Sequence, residues 1–145
     1  MKINKFLFTA FLIFSCLQFW TCSNSKDEHK TEHPAEVEEI EGTDLTTITL
    51  TEKAIERIGL QTTAVISEHS SPVRLVVPYS AIIYDSKGQT WVYTSPQERT
   101  FVRHKIDVDY IDGNKVYLTN GPPEGTLVAK VGVAELYGTE FKVGH

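Results

Sequence analysis

Two runs of β-branched and aromatic residues, joined by a short polar link, constrain the fold of this chain more than any other feature. The runs are residues 79–84 and 90–94, and the link between them contains Gly88. Glycine adopts the positive φ angle that tight hairpin turns require, so the stretch predicts a β-hairpin. Two further runs, 101–110 and 116–119, flank a link with an Asp-Gly pair, which is another strong turn signal. The sequence therefore predicts a meander of antiparallel strands.

One short helix is predicted among the strands. Thr51 provides a hydroxyl N-cap, Glu52 an acid in the first turn, and Gly59 a terminating residue. Counting the runs gives six or seven strands, with 73–77 leading into the first hairpin and additional strands expected at 45–50, 60–66 and 126–131. The predicted fold class is all-β, mainly antiparallel, as a meander or small barrel with one short helix. The end of the chain, 132–145, is expected to be a tail that docks through Leu136, Tyr137 and Phe141.

Residues 101–110 predict a strand with one buried and one solvated face. One face of the alternating pattern holds Val102, His104, Ile106, Val108 and Tyr110, and the other holds Arg103, Lys105, Asp107 and Asp109. Because successive side chains of a strand point to opposite sides, the first set is expected to be buried.

The N-terminal segment predicts export. Residues 6–20 form an almost unbroken apolar run after Lys2 and Lys5. The run is shorter than the ~20 residues of a spanning helix, so a secretory signal is favoured over a transmembrane anchor. Cys22 ends the run and resembles the acylated cysteine of bacterial lipoproteins, with Cys16 as the competing position and an unlipidated, cleaved signal as the third alternative. We therefore expect a lipoprotein signal peptide at 1–21 and lipidation at Cys22, which would anchor the protein in a membrane.

Residues 22–43 are expected to be a disordered acidic tether. From 23 to 43 there are two basic and seven acidic residues, a net charge of −5, and few apolar ones. His29 and His33 lie among these acids and could bind zinc or copper, but a flexible run gives only exchangeable binding. A solvated spacer is the favoured interpretation, and no cofactor is assigned. Residues 44–145 carry a net charge of −2, which provides no electrostatic basis for nucleic-acid binding.

Catalytic motifs are not recognisable in the sequence. It contains no G-x-S-x-G nucleophile elbow, no H-E-x-x-H zinc motif and no phosphate-binding loop. Removal of the segment before Cys22 would leave no cysteine except the one at the new N-terminus. We therefore expect a protein that is not an enzyme.

Two stretches carry a family resemblance. Residues 48–62 read Ile-Thr-Leu-Thr-Glu-Lys-Ala-Ile-Glu-Arg-Ile-Gly-Leu-Gln-Thr, and residues 77–85 read Val-Pro-Tyr-Ser-Ala-Ile-Ile-Tyr-Asp. The first resembles the N-terminal segment of periplasmic adaptor (membrane fusion) proteins of resistance-nodulation-division efflux pumps, particularly their heavy-metal branch. The second is similar to the C-terminal membrane-proximal region of the same family, as are 90–93, 101–104, 113–118, 121–125 and 127–128.

The resemblance implies that residues 44–145 form a membrane-proximal-like β-domain. Adaptors of this family carry a lipoyl-like domain, a long helical hairpin and a β-barrel between the two segments, whereas residues 64–76 join them directly here. In the family the N- and C-terminal segments pair with each other. The missing parts would therefore leave and re-enter the domain at neighbouring strands.

Three hypotheses about function follow. The first is an adaptor-like lipoprotein that binds an inner-membrane efflux transporter on its periplasmic side. The second is a periplasmic accessory protein that binds metal through His29 and His33. The third is a truncated orphan lipoprotein with a structural role. The segment Lys26-Asp27-Glu28 resembles the surface-export signature of some outer-membrane lipoproteins. The inner membrane is the favoured location, and the outer membrane is the alternative.

Overall fold

The structure, a computed structural model, describes residues 33–68 and 72–143. In these ranges the chain forms ten strands and two α-helices. The strands are β1 (Ala35–Glu39), β2 (Thr46–Leu50), β3 (Gln61–Ala64), β4 (Ile66–Glu68), β5 (Arg74–Pro78), β6 (Ile83–Tyr84), β7 (Thr90–Gln97), β8 (Thr100–Asp112), β9 (Lys115–Asn120) and β10 (Leu127–Val131); the helices are α1 (Glu52–Ile58) and α2 (Val133–Phe141). Neither helix is long and apolar enough to cross a membrane.

All strand pairs are antiparallel, which confirms the predicted fold class. The main path of the sheet runs β3-β10-β7-β8-β9-β5-β4, while β2 joins β8 and β1, and β6 joins β7. The strands at the two ends of this path, β3 and β4, are separated in sequence by Val65 alone. The Val65 N–H donates to the Thr126 carbonyl at 2.8 Å, and its carbonyl accepts from the Gly125 N–H at 2.9 Å. The sheet therefore curls back towards its own start as a half-barrel.

Both faces of the central strands are buried, because they separate two hydrophobic cores. The first core lies beside α1 and α2 and consists of Ile48, Leu50, Ala54, Tyr93, Phe101, Ala129, Val133 and Leu136. The second lies inside the curl and consists of Val65, Val77, Ala81, Val92, Ile106, Val116, Leu118 and Val128. Adjacent residues of one strand, such as Val92 and Tyr93, contribute to different cores because side chains alternate along it.

The predicted turns and the first helix are confirmed. The Thr51 side chain accepts a hydrogen bond from the Ala54 N–H at 3.2 Å, and Gly59 ends α1 with φ 63°. Gly88 has φ 74° in the turn that follows β6, where the Asp85 carboxylate accepts from the backbone N–H groups of Lys87 and Gln89.

The strand expected at 60–66 is divided at Val65 into β3 and β4, and two further predictions about secondary structure were wrong. Residues 79–84 do not form one strand: Tyr79–Ala81 is a 3₁₀ helix, which buries Ala81 in the second core before the short β6 begins. The expected C-terminal tail contains α2, whose apolar side chains at 133, 136 and 137 face the first core. Gly132 precedes this helix without a side-chain cap, so the usual start signal is missing.

The two faces predicted for residues 101–110 are also wrong in part. Arg103, expected in solvent, is 7% exposed because α2 covers that face of β8. Tyr110, expected to be buried, is 46% exposed. The register of β8 against β9 shifts between Val108 and Tyr110, and this bulge turns Tyr110 to the outer face of the sheet.

Part of the segment predicted as a disordered tether forms a strand. Within 22–43, residues 35–39 form β1, which pairs with β2 and packs Ala35 against the first core. The predicted signal peptide, Cys22 and His29 lie outside the described residues. The acidic composition predicted disorder, but Ala35 and Val37 alternate with glutamates and provide one apolar face for a strand.

Candidate functional site

Of the two metal-ligand candidates, only His33 lies in the part of the chain that the structure describes. His33 is exposed and lines a groove with Glu36 and with Glu52 of α1. Among residues 33–68 and 72–143, no group of three or more histidine, cysteine or acidic side chains could hold a metal ion. His104 is half-buried on β8, and burial lowers the pKa of its imidazole.

A buried polar cluster fixes α2 to the sheet. The Arg103 guanidinium on β8 donates from Nε to Oε1 of Glu140 at 3.1 Å, and the Tyr93 hydroxyl on β7 donates to Oε2 of the same carboxylate. The side chains of Arg103 and Glu140 are only 7% and 2% exposed. Burial, with the hydrogen bond to Glu140, raises the pKa of Tyr93 well above its usual range, so the phenol stays protonated and donates.

Aromatic rings cover the cation of this cluster. The guanidinium carbon of Arg103 lies 4.2 Å from the Trp91 ring centroid and 5.0 Å from that of Phe141. Phe141 in turn packs on Tyr137, with ring centroids 4.6 Å apart. Because both oxygens of Glu140 are engaged and Arg103 is enclosed by rings, the cluster is built to hold α2 in place.

Sequence reasoning missed this cluster, although one signal for it exists. Residues 133, 136, 137, 140 and 141 have the spacing of a single helix face, and four of them are Val133, Leu136, Tyr137 and Phe141. The fifth is Glu140. A lone acid inside an apolar helical stripe predicts a buried carboxylate, which needs a basic or hydroxyl partner.

The outer face of β8, β9, β5 and β4 is the surface best suited to binding another molecule. Of the side chains that the register places on it, we call six the tyrosine face: Ile66, Glu68, Arg74, Tyr110, Lys115 and Tyr117. The rings of Tyr110 and Tyr117 are stacked, with centroids 4.3 Å apart and 11° between their planes. Tyr110 is 46% exposed and Ile66 is 48% exposed, whereas Tyr117 is 7% exposed. The face thus presents a rigid aromatic and aliphatic surface.

Charged side chains hold the tyrosine face in one arrangement. Glu68 accepts hydrogen bonds from Lys115 Nζ and from the Tyr117 hydroxyl, the latter at 2.7 Å. These bonds, led by that from Lys115, lower the pKa of Glu68, and the bond to Glu68 raises the pKa of Tyr117. Arg74 Nε on β5 donates to Asp109 Oδ2 on β8 at 2.6 Å, across the intervening β9. The Tyr117 side chain is therefore held by stacking of its ring and by the hydrogen bond of its hydroxyl. Tyr110, stacked on its outer side, is left exposed for contact with a partner.

Ordered aromatic side chains of this kind favour binding because little conformational entropy is lost when a partner covers them. Single exposed apolar residues are common, but a group on one sheet is typical of an interaction site.

Comparison with known proteins adds no relative for this chain: no protein-family model matches it, and neither a curated protein nor a solved structure does.

Proposed function

We propose that this chain is a non-enzymatic, adaptor-like lipoprotein of the bacterial cell envelope. In this proposal Cys22 carries the lipid, and the β-domain binds the periplasmic side of a resistance-nodulation-division efflux transporter, with a heavy-metal transporter as the favoured class. The protein would act by docking, without the lipoyl-like and helical parts of a full adaptor.

The observation that carries the proposal is how the two resembling segments fit together. Strands from the N-terminal segment pair with strands from the C-terminal one: β2 with β8, and β3 with β10. The two segments thus build one domain, as the resemblance implies. The join between them also fits, because β4 and β5 are hydrogen-bonded neighbours. A chain that left after β4 and returned at β5 would re-enter the sheet at the adjacent strand.

The tyrosine face provides a docking surface for the proposed partner. It includes β4 and β5, the strands on either side of that join. An aromatic side chain that a partner buries, within a rim of polar side chains, contributes much of the affinity in many protein interfaces. Tyr110 has that position here, since Arg74, Lys115 and Glu68 lie around it on the same face.

Co-purification from native membranes tests the proposal. The tagged, lipidated protein is extracted in mild detergent, and the co-eluting proteins are identified by mass spectrometry. We expect an efflux transporter with wild-type protein, a much smaller amount with Cys22→Ala, and at least a tenfold loss with Tyr110→Ser.

The matched control is Tyr84→Ser, because Tyr84 on β6 is also exposed, at 52%, but lies outside the tyrosine face. This variant should retain the transporter. If wild-type protein elutes without any transporter, the adaptor proposal is wrong. If Tyr84→Ser loses the transporter while Tyr110→Ser keeps it, the tyrosine face is not the docking surface.

A further inference from the structure

The outer edge of β1 has unpaired backbone groups. This strand pairs with β2 on one side, and no other strand of residues 33–68 and 72–143 pairs with it. The Thr51 N–H donates to the Pro34 carbonyl at 3.0 Å, and the Ile40 N–H donates to the Leu45 carbonyl at 3.0 Å. Positions 34 and 40 flank an unbroken register, so the even-numbered residues of β1 direct their N–H and C=O groups towards β2.

The odd-numbered residues therefore direct their backbone groups outwards. These are Ala35, Val37 and Glu39, whose N–H and C=O groups alternate along the free edge. A row of this kind is a template for a further strand, and extended peptides bind sheet edges in this way.

The charge around the edge selects what can pair with it. Residues 33–44 contain five acids and no lysine or arginine, and the groove beside Glu36 adds two acids, Glu52 and Glu56, and two cations, Lys53 and Arg99, so the surroundings of the edge are acidic. Glu36 and Glu38 are exposed and lie on the same face of β1, opposite the side on which Ala35 packs against the first core. A strand added at the edge would place its own side chains beside these carboxylates.

A second copy of this chain does not suit the edge. Antiparallel pairing of two β1 strands about Val37 would set Glu36 of each copy directly opposite Glu38 of the other, and like charges in that position are destabilising. Lysine or arginine at alternate positions would instead place opposite charges beside Glu36 and Glu38. The intervening side chains would lie on the side of Ala35 and Val37, where small apolar residues fit.

We propose that the outer edge of β1 binds an extended protein segment with lysine or arginine at alternate positions, by β-strand addition. The site is separate from the tyrosine face and does not depend on the partner being a transporter. Binding is measured with a short synthetic peptide in which lysine and valine alternate, so it can succeed or fail independently of the co-purification described above.

Charge is tested first, by titrating labelled peptide with the full chain in detergent micelles. The paired substitution Glu36→Gln with Glu38→Gln should weaken binding by roughly tenfold. The matched control substitutes two exposed acids away from β1 and α1, Asp112→Asn with Glu124→Gln, and should leave binding unchanged. A peptide that alternates glutamate and valine should not bind.

Backbone geometry is tested with Val37→Pro. Proline removes an N–H that points away from β2, so the β1–β2 hydrogen bonds remain and the strand is expected to persist. Peptide binding should fall at least tenfold, whereas Val37→Ala, which keeps the N–H, should bind within about threefold of wild type. Glu39→Pro provides a second variant of the same kind if Val37→Pro does not fold.

Hydrogen exchange gives a residue-by-residue signature of the proposed pairing. The peptide should slow exchange at the N–H groups of Ala35, Val37 and Glu39 and leave those of Glu36 and Glu38 unchanged. The proposal is overturned if wild-type protein fails to bind the peptide at millimolar concentration, or if a folded proline variant binds it as well as wild type. It is also overturned if sedimentation reveals a dimer that Val37→Pro dissociates, because the occupant would then be a second copy.

Discussion

Arg103 and Glu140 form an ion pair whose side chains are 7% and 2% exposed, and it joins the longest strand of the sheet to the C-terminal helix. Glu140→Ala would leave the Arg103 cation buried without its counter-charge, and Tyr93 without an acceptor. We expect the free energy of unfolding to fall by about 3–5 kcal/mol, measured by urea denaturation. The control is Glu135→Ala on the exposed side of α2, which should change it by less than about 0.5 kcal/mol.

A double substitution separates the cost of an unpaired charge from the value of the pair itself. Arg103→Met with Glu140→Leu removes both charges and fills the same space with apolar atoms. Because two buried charges lose their hydration, this variant should be more stable than Glu140→Ala alone by at least about 1 kcal/mol. If the double variant is less stable than Glu140→Ala, the unpaired Arg103 charge is not the main cost of that substitution. The ion pair itself would then stabilise the fold.

Acid should weaken the tyrosine face through Glu68. Its pKa in the folded protein lies below the ordinary value of 4.5, so the folded state holds its proton less tightly than the unfolded state. The stabilisation is therefore complete above pH 4.5 and is lost as the pH falls through the lowered pKa. Denaturation midpoints measured across this range should fall less steeply for Glu68→Gln than for wild type.

Tyr117→Phe provides an intermediate case for the same measurement. It removes one of the two donors to Glu68 and keeps Lys115, so its pH dependence should lie between those of wild type and Glu68→Gln. If the denaturation midpoint changes with pH equally in all three proteins, Glu68 is not responsible for the acid sensitivity.

The join between β4 and β5 should tolerate a long insertion. These strands are neighbours in the sheet, so a flexible glycine-serine segment placed after Glu68 lengthens one connection without separating any pair. The free energy of unfolding should fall by about 1 kcal/mol, since loop-closure cost grows slowly with length. The same segment inserted after Val65 should prevent folding, because that residue is 1% exposed and both its backbone groups are bonded. Equal tolerance at the two sites would contradict the view that the connection between β4 and β5 can be lengthened without loss of hydrogen bonds, whereas the chain at Val65 cannot.

Local signals predicted much of the fold. The hydroxyl of Thr51, the positive φ angles at Gly59 and Gly88, and the alternation of apolar residues each act within a few residues, so sequence alone reveals them. They led to the right fold class.

Long-range contacts explain what the sequence did not reveal. Arg103 is buried because of Glu140, which lies 37 residues away, and no local pattern in β8 indicates this. Tyr110 faces outwards because of a bulge whose position depends on the partner strand. β1 is ordered because β2 and the first core stabilise an acidic segment that local composition alone would leave unfolded. The buried cluster depends on the first of these effects, the tyrosine face on the second and the free edge of β1 on the third, so none of the three could be derived from the sequence.

The cap of α1 links the helix to the start of the sheet and gives a final prediction. Thr51 accepts from the Ala54 N–H with its hydroxyl, and its own N–H donates to the Pro34 carbonyl just before β1. Thr51→Ala removes the cap and a long contact of the hydroxyl with the Pro34 carbonyl, at 3.4 Å, and keeps the bond from the Thr51 N–H, so thermal and urea denaturation should give a loss of about 1 kcal/mol. Thr51→Ser keeps both and should lie within about 0.5 kcal/mol of wild type. An alanine variant as stable as the serine variant would mean that α1 is held by the packing of Ala54 and Ile55 against the first core, without help from its cap.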